Sequence, residues 1–179
     1  MARVPPARDP IQPAAQQELD RQRAAHGRVT NMKQTLAHSP AALAALMTWY
    51  PLRDEVASFL GDRLTTLFAH AVSAETDCLI CSTFFRRIMI DAGENPDSLR
   101  LDDRERAVVD YGVALARDMK HVARPAFDRV ASFLNAEQLV ALTAFGGMMI
   151  ATNVFNNALE VELDEYLWTY RKPGETRER

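Results

Sequence analysis

Charge of one sign is what this chain lacks most plainly. Its 179 residues carry 21 lysines and arginines against 24 aspartates and glutamates, a net charge of −3. Nucleic acid and anionic membrane surfaces both demand a basic field or a polybasic run, and neither is present. No segment approaches the ~18 consecutive apolar residues of a membrane span. The opening Met1–Arg8 is basic but has no apolar stretch behind it, which argues against a secretory signal. The expected location is the cytoplasm, where dithiols are kept reduced. Glycine is scarce, at seven residues, and there is no glycine-rich phosphate loop. Nor does any run alternate with the period of two that a half-buried strand needs. There are two cysteines. A zinc site would require a second pair of ligands, and none of the four histidines has ligand spacing. No metal and no cofactor are expected.

What is present reads as helix. Nearly half the residues, 47%, are hydrophobic, enough for one full core in a chain of this length. Residues 1–30, with Pro5, Pro6, Pro10 and Pro13, read as an extended arm holding one short helix, ordered only against a partner. Ser39-Pro40 caps and opens a helix to Trp49. Pro51 ends it and starts another, to about Leu60. Asp62 caps a third helix, to Ser73. Asp77 caps a fourth, closed by Gly93. Asp102 and Glu105 form a capping box for a fifth, Arg124-Pro125 opens a sixth, and Asn135 caps a seventh, to Leu159. A short helix covers Leu163 to Tyr170, and 171–179 reads as a flexible tail. The fold class is all-α, with short connections favouring antiparallel neighbours. The seventh helix is apolar on nearly every face, so it belongs at the domain centre or against a second subunit. Its Gly146-Gly147 pair costs roughly 1 kcal/mol per glycine relative to alanine, which implies close approach of another helix.

The chemistry concentrates at Cys78-Leu79-Ile80-Cys81. This spacing lets one intramolecular disulfide close and reopen, moving two electrons without a cofactor. Placing Cys78 in the first helical turn favours its thiolate through unpaired backbone N–H groups and the helix dipole. The expectation is a more acidic Cys78 and a more buried Cys81. Asn153, Asn156 and Asn157, set in an apolar helix, read as inter-helix hydrogen-bonding groups. Trp49-Tyr50 read as the end of a helix packing the core edge or an interface.

Three stretches carry a family resemblance. Asn31-Met-Lys-Gln-Thr-Leu-Ala-His-Ser-Pro-Ala-Ala-Leu is similar to the entry helix of the alkylhydroperoxidase AhpD / carboxymuconolactone decarboxylase family. Leu64 to Phe85 resembles its core helix pair with the CxxC, and Leu101 to Leu163 the second half of its peroxidase-related members. The resemblance implies an AhpD-like helical domain over 31–170 and a homo-oligomer. It also implies reduction of a small peroxide by Cys78 and Cys81, regenerated by a thiol or protein reductant. Family members with peroxidase activity place a glutamate twelve residues before the first cysteine and a histidine four after the second, as a proton relay. Here those positions hold Thr66 and Phe85, neither able to move a proton near neutral pH. His70, four residues beyond Thr66, is the candidate replacement and joins the two cysteines as a candidate catalytic residue; Asp77 and Glu75, beside Cys78, are the alternatives, although a nearby carboxylate would raise the thiol pKa.

The reading that follows is an AhpD-like alkyl hydroperoxide reductase. The alternative is a non-catalytic or redox-sensing oligomer that has lost the relay. Lactone decarboxylation, which the family also contains, ranks last because those members generally lack the CxxC.

Overall fold

The structure, a computed structural model, describes residues 2–172. Among the described residues there are nine α-helices, one 3-10 helix and no strand. In chain order they are α1 (Pro13–His26), α2 (Asn31–Leu36), α3 (Pro40–Met47), α4 (Trp49–Leu60) and α5 (Asp62–Glu75). They continue as α6 (Leu79–Asp91), α7 (Asp103–Arg117), α8 (Arg124–Ala131) and α9 (Ala136–Ala158), closed by the 3-10 helix Glu165–Tyr170. The all-α expectation holds. Most of the expected tail, from residue 173 on, lies outside the described residues.

Local chemistry sets the boundaries. Ser39 Oγ accepts from Ala42 N with Pro40 in the first turn of α3. Full capping boxes close α7, at Asp102 and Glu105, and α9, at Asn135 and Gln138. Three expected boundaries move. The α3–α4 break falls at Thr48, because Pro51 sits in the first turn of α4, where a missing N–H costs nothing. Gly61, not Asp62, caps α5. Asp77 does not cap α6 either: it holds a left-handed φ of 53°, and Cys78 takes the cap position.

The first thirty residues depart most from expectation. Pro13–His26 is a 14-residue helix that packs on α3 of the same chain. Its buried Ala15 and Leu19 join Leu36, Ala37, Leu43 and Met47 in a small core. Arg3 ties the segment before it to the end of α9, through its N–H to Leu159 O and its side chain to Glu160. The four prolines misdirect the reading, since three precede α1 and Pro13 opens it, where proline is well suited.

The main core is organised around α5, which packs against α4, α6, α7 and α9. Phe68 is fully buried at its centre. A Cβ on Gly112 of α7 would lie 3.0 Å from the Phe68 ring, and one on Gly146 of α9 would lie 2.8 Å from Leu115 and 3.1 Å from Phe68. Both glycines make room for one aromatic ring. Gly147 meets nothing within 4 Å, so the close approach expected of the pair belongs to Gly146 alone.

Within this chain α9 is not buried all round. Leu142, Phe145, Met149, Asn153 and Asn156 face the core, while Val140 and Val154 stand 69% and 55% exposed on the other side. By length and composition alone α9 would cross a bilayer. Here its inner face packs on α4, α5, α7 and α8.

Candidate active site

Cys78 and Cys81 are both free thiols. Cys78 stands at the N-cap of α6 with extended backbone, and Cys81 lies one turn inside the helix. Helix α9 crosses behind them and presents Asn156. Its Nδ2 lies 3.3 Å from Cys81 Sγ, 3.9 Å from Cys78 Sγ and 3.5 Å from Met32 Sδ. One amide therefore faces both sulfurs, and its Oδ1 is buried without a hydrogen-bond partner.

The two sulfurs titrate as a unit. The thiol of Cys81 donates to Cys78, which lowers the Cys78 pKa; the amide of Asn156 and the backbone N–H groups of Ile80 and Cys81 add to this against the opposing effect of burial. Cys81 is driven well above an ordinary thiol by that same hydrogen bond and by burial. We assign the shared proton to Cys81 and the anion to Cys78, because only Cys78 faces the N-terminal amides of α6. The expected acidity order holds. Both thiols are buried, Cys78 at 1% and Cys81 at 7% exposure, and Cys81 is the one that lines an opening. An N-cap residue here is capped in turn by the α5–α6 turn, whereas the next helical turn faces an opening.

That opening is a cavity of about 70 Å³. Trp49, Tyr50, Phe84, Phe85 and Tyr166 give it aromatic walls, and Cys81, itself buried, is among its lining residues. Phe85, at the position where the family places its histidine, is one of these walls and packs edge-on against Phe84, with centroids 5.3 Å apart. Thr66, at the glutamate position, donates its hydroxyl to Asp62 O at 2.8 Å within its own helix. Neither side chain offers a proton route. Trp49 and Tyr50, expected at the end of a helix, begin α4; they pack the core edge as expected and also line the cavity.

His70 is placed elsewhere. It opens onto a separate recess, next to Arg86 and Asp97, and does not line the cavity of Cys81. Arg86 forms a two-pronged pair with Asp97 at 2.7 and 2.8 Å. Burial, with Arg86 nearby, lowers the His70 pKa to about 4. The imidazole is thus uncharged and weakly basic at neutral pH. The structure does not bring the expected replacement base to the cavity side of the dithiol.

Two polar residues that the sequence reading passed over line the cavity. Lys33 of α2 is 3% exposed, and its ammonium lies 5.1 Å from the Tyr50 ring centroid. Burial brings its pKa down to about 8, against the opposing pull of Glu18 and Asp164. Asp164 accepts the Asn31 N–H through Oδ1 at 2.9 Å, while its Oδ2 is buried without a partner. Burial raises its pKa. A lysine in a six-residue amphipathic stretch gives no sign in sequence that it points inward. Of the three asparagines near the end of α9, Asn153 and Asn157 do what was expected. They donate to Thr76 Oγ1 at 2.7 Å and Thr76 O at 2.9 Å, lacing α9 to the end of α5.

No protein-family model and no curated protein matches the chain. Its likeness to known proteins is structural. The apo debrominase Bmp8 aligns with a TM-score of 0.76 at 18% identity, covering 93% of this chain and 95% of that one. A cysteine-to-alanine variant of that debrominase, in complex with 2,3,4-tribromopyrrole, aligns with a TM-score of 0.78 at 17% identity, over 93% and 94% of the two chains. The AhpD core of an uncharacterized peroxidase-related protein from Ralstonia eutropha JMP134 gives 0.69 at 20% identity, over 95% and 98%. Likeness at these identities establishes architecture, and the architecture of this chain is the AhpD-like helical fold.

Proposed function

We propose that the protein is a thiol-dependent peroxidase in which Cys78 and Cys81 cycle between dithiol and disulfide. The observation that carries this is one Asn156 amide facing both sulfurs, with Cys81 open to a small aromatic-walled cavity. A peroxide entering the cavity meets Cys81. Its thiol attacks the terminal oxygen as the S–H proton passes to the Cys78 thiolate; the O–O bond breaks, and the leaving oxygen takes up a proton and departs as the alcohol. The resulting Cys81 sulfenic acid condenses with the Cys78 thiol, releasing water and forming the disulfide. A dithiol or a protein thiol reductant restores the pair by exchange.

The test is peroxide consumption driven by a dithiol reductant, comparing wild type with Cys78→Ser and Cys81→Ser. Turnover should vanish in both variants. A single stoichiometric oxidation should survive in Cys78→Ser and be lost in Cys81→Ser. Equal rates in all three proteins would remove the assignment. Two thiols unreactive in the native wild type would leave the non-catalytic oligomer.

The aromatic walls and the likeness to a debrominase favour a second substrate for the same pair. Reduction of a small halogenated ring would replace carbon–halogen by carbon–hydrogen, release halide and leave the disulfide. Bromide release from 2,3,4-tribromopyrrole, measured beside peroxide consumption, decides between the two. Self-association is also proposed, with the exposed apolar face around Val140 and Val154 as its contact; sedimentation of the whole chain measures it.

A further inference from the structure

Peroxide reduction needs a proton for the leaving oxygen. An alkoxide is a poor leaving group, and the two family relay positions hold a back-bonded threonine and a phenylalanine wall. Among the described residues lining the cavity of Cys81, the cationic one is Lys33. It is almost wholly buried. Its ammonium meets the face of Tyr50, a contact that leaves its N–H groups free to donate. The groups facing it are Glu18 and His26 of α1, Tyr50 of α4, and Asp164 and Tyr166 near the C-terminus. The unpartnered Asp164 Oδ2 adds an acceptor to the same cavity. A hydroperoxide has both complements: a terminal O–H that donates and an inner oxygen that gains charge as the O–O bond breaks.

We propose that Lys33 is the general acid of the site, protonating the leaving oxygen of a peroxide attacked by Cys81. This rests on the peroxidase reading and replaces the carboxylate–imidazole relay with one buried ammonium. Cys81 thiol, Cys78 thiolate, hydroperoxide and Lys33 ammonium give Cys81 sulfenic acid, Cys78 thiol, alcohol and neutral Lys33 amine. Lysine then regains a proton from solvent. Its lowered pKa suits the task, because a less basic ammonium donates more readily near neutral pH.

Ethyl hydroperoxide and peracetic acid test the idea, being close in size while differing in leaving group. Ethoxide needs a proton as it departs, and acetate does not. Oxidation of the reduced full-length protein is followed by stopped-flow tryptophan fluorescence, since Trp49 lines the cavity. Lys33→Met should slow oxidation by ethyl hydroperoxide about 10²-fold or more, the usual size of general acid help. The same variant should react with peracetic acid within a few-fold of wild type. Lys33→Arg keeps the charge but holds its proton far more tightly, so it should share the defect with ethyl hydroperoxide. Equal losses on both oxidants, or no loss on either, would overturn the role of Lys33 while leaving the peroxidase reading intact. Wild-type thiols no faster with ethyl hydroperoxide than a free dithiol would instead remove the peroxidase reading, and the acid role with it.

Discussion

Asn156 is the residue whose chemistry most directly touches both sulfurs. A neutral amide donor favours thiolate over thiol, since it lends partial positive charge without competing for the proton. Asn156→Leu keeps the volume, removes the donor and also removes the orphaned Oδ1. Its thiol-reactivity titration should move upward by on the order of one pH unit, with little change in melting temperature; iodoacetamide kinetics against pH check this. Lys33 is the converse case, in which stability and chemistry oppose each other. A lysine whose pKa falls from 10.5 to about 8 on folding is protonated at neutral pH at the expense of the folded state. The unfolded chain holds that proton more tightly, so the penalty is fully present below pH 8 and fades as pH rises toward 10.5. Lys33→Met should therefore stabilise the protein at pH 7, by up to roughly 3 kcal/mol, while removing the proposed proton donor. A raised melting temperature together with slowed reduction of ethyl hydroperoxide is the expected signature, measured by calorimetry beside the kinetics.

At the scale of elements, α9 has two faces with opposite demands. Gly146 lies where a methyl group would strike Leu115 and Phe68, whereas Gly147 points into open space. Gly146→Ala should destabilise by about 1–3 kcal/mol through overpacking. Gly147→Ala should stabilise by up to about 1 kcal/mol through helix propensity. Thermal unfolding of the two variants tests this, with melting temperatures moving in opposite directions by roughly 2–4 °C per kcal/mol. Should Gly147→Ala instead weaken self-association, the outer face of α9 would be a close helix–helix contact. Helix α6 shows the same local logic. With Cys78 as N-cap the helix loses the usual side-chain oxygen cap, and gains a sulfur placed against its free N–H groups.

For the whole molecule, pH is the variable that reads burial most directly. His70 binds its proton near pH 6.5 in the unfolded chain and at about 4 when folded. The unfolded state therefore holds more protons between these values, and stability should fall as pH drops from 6.5 toward 4. The full span corresponds to about 3 kcal/mol at most. His70→Gln should flatten that slope, and urea unfolding at a series of pH values measures it. If the slope is unchanged, His70 is solvated in the folded protein. His70 sits beside the Arg86–Asp97 pair, so the same titration reports on the second recess.

Helix caps, apolar periodicity and the spacing of two cysteines are local properties, and they were readable directly: all-α architecture, most helix starts, and a dithiol at a helix N-terminus with the more acidic sulfur first. Thr66 and Phe85 were also readable, at the two positions where the resemblance implies a glutamate and a histidine. What local pattern could not supply is which side chains from distant segments share a space. Lys33, Trp49, Tyr50, Asp164 and Asn156 come from four separate stretches of chain, and they gather around Cys81 only because α2, α4, α9 and the segment after α9 pack together there. His70 shares α5 with Thr66, yet it opens onto the other recess. Spacing along a helix fixes a direction from its axis; tertiary packing alone decides what lies in that direction, and therefore which group can give a proton to the chemistry.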